Sequence, residues 1–161
     1  MSHPAQDDAV RPARPEAEPA TTPSSSAGPT YAPHPSPSGS GSSPRDIVLA
    51  FYEAALNEKN VEKAKQYLGD TYIQHNPRVP DGVEGLVRFI EFRRTHYPEA
   101  RNEVKRVIAE GDLVALHVHS VVIPGTPGRA IVDIFRVEDG KVVEHWDVIQ
   151  EIPVDLFPPL N

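Results

Sequence analysis

Residues 130–150 read AIVDIFRVEDGKVVEHWDVIQ: two runs of β-branched and aromatic residues on either side of Glu138-Asp139-Gly140. Runs of this kind around an Asp-Gly pair form a β-hairpin, because the turn needs left-handed backbone that glycine adopts without strain. A three-residue loop with Gly140 left-handed would pair Val137 with Lys141. Side chains alternate along each strand, so Ile131, Asp133 and Phe135 then share a face with Val143, His145, Asp147 and Ile149. Two carboxylates and an imidazole among apolar residues suit a polar-lined pocket better than a plain core. A two-residue loop on Asp139-Gly140 would set Asp133 beside Trp146 instead, so the expected site depends on the turn. The opposite face, with Val132, Ile134, Val142, Trp146 and Val148, is apolar as well. A sheet with helices on one side and water on the other alternates more cleanly. That second face is therefore expected to form a homodimer, with packing under Leu156-Phe157 as the simpler alternative.

Two more strands precede the hairpin. Glu103 to Ala109 and Leu113 to Ile123 have a period of two and meet at Glu110-Gly111-Asp112. The segment Pro124-Gly125-Thr126-Pro127-Gly128 then turns the chain into the hairpin. Before Pro98 the period is helical. Ser43 can cap a helix, Pro44 suits its first turn, and Asp46 lies where an acid favours the N-terminus. Ile47, Val48, Phe51, Ala54 and Ala55 form its apolar stripe, which ends near Asn57. Asn60 is expected to cap a shorter helix, Val61 to Leu68, stopped by Gly69. Gly82 to Tyr97 predicts a third helix with Val83, Leu86, Val87, Ile90 and Phe89 inward, stopped by Pro98. Between them, Asp70 to Pro77 is too short for a helix and ends in a turn. Helices first and a meander of strands after them predict an α+β fold with the helices on one sheet face.

Composition bounds the rest. Residues 1–43 form a Pro/Ser/Ala-rich tail that cannot bury enough apolar surface to offset chain entropy, and it is expected to be disordered. Residues 44–161 are expected to form one domain. Past the tail, 14 Lys+Arg stand against 19 Asp+Glu, and an acidic surface without a basic stripe argues against nucleic-acid binding. No apolar run is long enough for a membrane span and no complete secretory signal follows Met1, so a soluble, cytoplasmic protein is expected. With no cysteine in the sequence, thiol catalysis and thiolate metal sites are excluded. The chemistry must come from carboxylates, imidazoles, hydroxyls and amides.

Three helices, the turn YIQHNP at 72–77 and the run FRVEDGKVVEHWDV at 135–148 together resemble the SnoaL-like polyketide cyclases. These belong to the nuclear-transport-factor-like superfamily, which also holds ketosteroid isomerases and limonene epoxide hydrolase. The resemblance spans roughly Pro44 to Pro153. It implies three N-terminal helices packed on a strongly curved, mostly antiparallel sheet that forms a cone-shaped pocket, with no metal and no other cofactor. The cyclases' acid/base aspartate, seven residues after the hairpin glycine, corresponds to Asp147. Their pocket histidine, seven residues before that glycine, corresponds to Asp133, a departure that bears on the reaction. Their asparagine after the second helix corresponds to Asn76.

The candidate catalytic residues are thus Asp147 as acid/base, Asp133 as the group that could hold His145 or His119 in one tautomer, and His119. His117 and His119 are two apart in a strand and share a face. Candidate substrate-binding residues are Asn76 and His75 on the turn before Pro77, His117, His145, Tyr52 and Tyr72. The resemblance implies acid/base catalysis on a small carbonyl compound in a hydrophobic pocket, by intramolecular aldol closure or a related proton transfer. An isomerase or hydrolase on the same pocket, or a non-catalytic ligand-binding or dimerisation module, is the alternative.

Overall fold

The computed structural model describes residues 41–154; the expected tail lies outside them but for its last three residues, as does Leu156-Phe157. Helix α1, Pro44–Tyr52, begins where the Ser43 hydroxyl accepts the N–H of Asp46 at 3.2 Å. It buries Ile47, Val48, Phe51 and Tyr52 and continues as a π-helical turn, Glu53–Asn57. Asn57 then behaves like a piece of strand backbone. Its side-chain amide donates to the carbonyl of Asn102 (3.1 Å), and its oxygen accepts the Asn102 N–H (2.9 Å). Lys59, left-handed at φ 53°, donates from Nζ to the carbonyls of Asn57, Pro98 and Ala100. Three donors meet three acceptors, which allows a lysine to be 3% exposed.

Helix α2 covers only Val61–Lys65, capped by the Asn60 side chain. The expected extension to Leu68 is not formed, and Gly69 is no helix stop. Both belong to strand β1, Leu68–Gln74. Helix α3 spans Gly82–His96, followed by β2 (Arg101–Glu110), β3 (Leu113–Val121), β4 (Arg129–Glu138) and β5 (Lys141–Glu151). The sheet order is β1-β5-β4-β3-β2, and only β1 on β5 is parallel. Gly69 fits where β1 meets β5, since a Cβ there would sit 3.0 Å from Val143 Cγ1.

The turn between β4 and β5 is the two-residue one, with Glu138 opposite Lys141 and both Asp139 and Gly140 left-handed. The expected pairing of Val137 with Lys141 does not occur. A bulge shifts the register by one residue more and so restores the expected faces: Val137 pairs with Val142, Arg136 with Glu144, and Val143 is the extra residue. Beyond it Asp133 pairs with Asp147, Phe135 with His145 and Ile131 with Ile149. The three titratable residues share a face, although by a different route. Val142, expected on the outer face, is instead wholly buried in the core.

Further register breaks in β1–β5 and β2–β3 bend the open sheet around the helices. Val114, Leu116, Val118, Phe135, Val137 and Val142 form its inner face, packed against Val48, Phe51, Leu86 and Ile90. On the outer face Ile108, Val132 and Val148 remain exposed.

Candidate active site

Inner-face residues toward the far end of the hairpin leave a cavity of about 250 Å³ beneath α1 and α3. Its wall is mainly apolar, from Phe51, Leu86, Phe89, Phe92, Ile131 and Ile149. A short polar band crosses it. Asp133 and Asp147 come from adjacent strands and His145 from the next inner position on β5. Tyr72 and Gln74 come from β1, where alternation turns both inward, and Asn76 follows in the turn.

The band is one connected hydrogen-bond network. Tyr52 donates its hydroxyl proton to Asp133 Oδ2 at 2.9 Å, and Asp133 Oδ1 lies 3.0 Å from His145 Nε2. His145 Nδ1 is 2.9 Å from the side-chain oxygen of Gln74, which also accepts the backbone N–H of Asn76. Because that oxygen serves a fixed donor, Nδ1 must carry a hydrogen. A single proton therefore joins Nε2 to the Asp133 carboxylate. The Asn76 amide donates to Asp147 Oδ2 at 2.5 Å, while its own oxygen accepts the N–H of Arg78. Asp147 Oδ1 accepts no hydrogen bond among the described residues. Asp133 and His145 are buried and Asp147 is half-buried.

Burial, and next to it the charge of Asp133, pushes the pKa values of Tyr52 and Tyr72 well above the usual tyrosine value. Both hydroxyls therefore stay protonated. That of Tyr72 accepts a weak bond from Gln74 at 3.4 Å and keeps its own proton free to donate toward the cavity. Donor atoms of Asp133, His145 and Asp147 lie within 4.8 Å of one another, near enough to consider a shared metal ion. Both oxygens of Asp133 and both nitrogens of His145 already have protein partners, so a metal would have to displace them.

The site thus gathers Asp147, Asp133, Asn76, His145, Tyr52 and Tyr72. Three expected members are elsewhere. His117 and His119 do share a face, but it is the outer one, because Leu116 and Val118 between and beside them point into the core. His117 lies 3.0 Å from an Arg106 nitrogen, and His119 Nε2 bonds the carbonyl of Pro127 at 2.8 Å. Neither lines the cavity, and Asp133 orients His145 rather than His119. His75 is also outside: it stacks on Trp146 at 4.9 Å and bonds Glu144. Gln74 and Arg93 were missed. The signals were there: Gln74 is two residues after Tyr72, and Arg93 continues the buried stripe of Leu86 and Ile90 on α3.

The family model described as SnoaL-like polyketide cyclase matches residues 46–155. Among solved structures, AclR from Streptomyces galilaeus, a putative hydroxylase, is 25% identical (TM-score 0.56), over 69% of this chain and 81% of that one. IdmH from Streptomyces antibioticus, a putative polyketide cyclase, is 24% identical (TM-score 0.55), over 66% of this chain and 91% of its own. An NTF2-like protein of unknown function from Cytophaga hutchinsonii is 23% identical (TM-score 0.57), over 67% and 90% respectively. The last two are likenesses of fold. No match was found among curated proteins. No helix among the described residues is long and apolar enough to cross a membrane.

Proposed function

The chain belongs to the SnoaL-like polyketide cyclase family, and on that premise we propose that it is an acid/base enzyme acting on a small carbonyl compound, with Asp147 as the proton carrier. The observation that carries this reading is the asymmetric environment of that carboxylate. One oxygen is held by the Asn76 amide and the other is open at the wall of an apolar cavity. Asp147 Oδ1 takes a proton from the acidic C–H between or beside carbonyls. The hydroxyl of Tyr72 donates to the enolate oxygen as its charge develops. The enolate carbon then attacks a second carbonyl of the same molecule, a carbon–carbon bond forms, and Asp147 returns the proton to the new alkoxide. Product and substrate are isomers, so no co-reactant is consumed. With a hydrogen on Nδ1 and a further proton shared between His145 and Asp133, the pair carries no net charge, so the Asp147 carboxylate beside it faces a neutral pair rather than a second free carboxylate.

Asn76 was expected to bind substrate; committed to Asp147, it acts on this reading by orienting the base. We also propose a homodimer through the outer sheet face, supported by the exposed Ile108, Val132 and Val148 there. The catalytic reading is tested with linear aryl 1,3-diketones that carry a third carbonyl at ring-forming distance and with 1,6-keto-aldehydes, following products by NMR for the native chain and Asp147→Asn. Cyclised product from the native chain alone, with equal folding of both, supports it. Equal turnover by both proteins rules out this role for Asp147.

A further inference from the structure

Arg93 stands in the last turn of α3 and lines the cavity, yet it is only 8% exposed. Its Nε and Nη2 atoms are buried and meet no hydrogen-bond acceptor among the described residues. In the planar guanidinium these two nitrogens direct their N–H bonds the same way along one edge. That edge fits the two oxygens of a single carboxylate. The neighbours supply no countercharge: the Phe89 ring lies 5.9 Å from the guanidinium carbon, and Arg129 adds a second positive charge nearby. The acids across the cavity are committed elsewhere, Asp133 to Tyr52 and His145 and Asp147 to Asn76. A buried cation with two parallel free donors is costly in an empty pocket and well used in a filled one.

We propose that Arg93 is the docking point for a carboxylate on the substrate, so that the cavity takes an apolar carboxylic acid with its acidic C–H directed toward Asp147. This rests on reading the cavity as the substrate pocket and adds the class of molecule it accepts. The charged end is held at α3, the aromatic or alkyl body lies along Phe51, Phe89 and Ile131, and the reacting carbon is presented to the band on β5. Docking by an edge of fixed geometry sets the distance between carboxylate and reacting carbon, and so selects which C–H is removed.

Isothermal titration of the full chain with 2-naphthoate and with methyl 2-naphthoate tests the proposal. The acid should bind at least about tenfold tighter than the ester. Arg93→Met should erase that preference without lowering the melting temperature, since an apolar replacement removes a buried charge. Arg93→Lys should keep a reduced preference, which separates loss of the contact from loss of folding. Equal binding of acid and ester, an undiminished preference in Arg93→Met, or no binding of either would each overturn the inference. Asp147→Asn should retain the acid preference. A preserved preference without Asp147-dependent turnover would instead remove the catalytic reading and leave the carboxylate site standing.

Discussion

Asp133 and Asp147 are direct cross-strand partners on the inner face of the β4–β5 hairpin. Like charges at that position repel, and the fold answers by giving each carboxylate its own donor. His145 and Tyr52 serve Asp133, and Asn76 serves Asp147. Asp133→Asn would relieve the repulsion but strip a buried imidazole of its charged partner. Loss of one member of a buried pair costs about 3–5 kcal/mol, more than an exposed-type repulsion returns. Urea unfolding should therefore show a lower midpoint; a raised midpoint would mean that repulsion dominates.

The Asn76 amide is the only donor to Asp147 among the described residues. A hydrogen bond to a charged group is worth about 1.5–3 kcal/mol. Asn76→Ala should accordingly lower kcat by about 10- to 100-fold with KM little changed, as steady-state kinetics would show. A change confined to KM would return Asn76 to the role of substrate contact.

Glu144 sits on the other side of the sheet between His75 and Arg136. Burial raises its carboxyl, but the hydrogen bonds from both neighbours prevail and hold it below the usual carboxylate range. Its folded value is then lower than its unfolded one, so its contribution is complete above about pH 4.3 and is lost as pH falls through the folded value. The stability difference between the native chain and Glu144→Gln should be flat near neutrality and shrink below about pH 4. A difference that grows on acidification would contradict the assignment.

Val148 and Ile108 are 68% and 69% exposed on the outer face. Exposed apolar side chains on this face, spread from β5 to β2, are what the proposed dimer would cover. Val148→Glu with Ile108→Glu should convert a dimer to a monomer in sedimentation equilibrium while leaving the circular dichroism spectrum unchanged. A native chain that sediments as a monomer would remove the proposed interface.

The inner face of the hairpin was legible because strand parity survives errors in detail. A turn one residue shorter than expected and a bulge of one extra residue each move the β5 partner by one position, and the resulting two-residue shift keeps the parity, so Asp133, His145 and Asp147 still face the same way. The helical stripes of α1 and α3 were equally plain, as apolar spacing alone defines them. Strand β1 was not, since its partner lies some seventy residues downstream and a parallel pairing leaves no turn between the two. For His117 and His119 the sequence fixes a shared face but not which one. The fully buried Val114, Leu116 and Val118 alternate with them and decide it. Arg93 went unnoticed because a charged residue on a buried stripe reads as the end of that stripe.

Loss of a substrate proton to Asp147 is most directly measured as deuterium uptake at the acidic carbon of a bound aryl 1,3-diketone carboxylic acid in heavy water, before any ring closure. The native chain should accelerate that uptake and Asp147→Asn should slow it by about a thousandfold or more, both proteins having the same melting temperature. Uptake in Asp147→Asn within about twofold of the native rate would show that the proton leaves to another group.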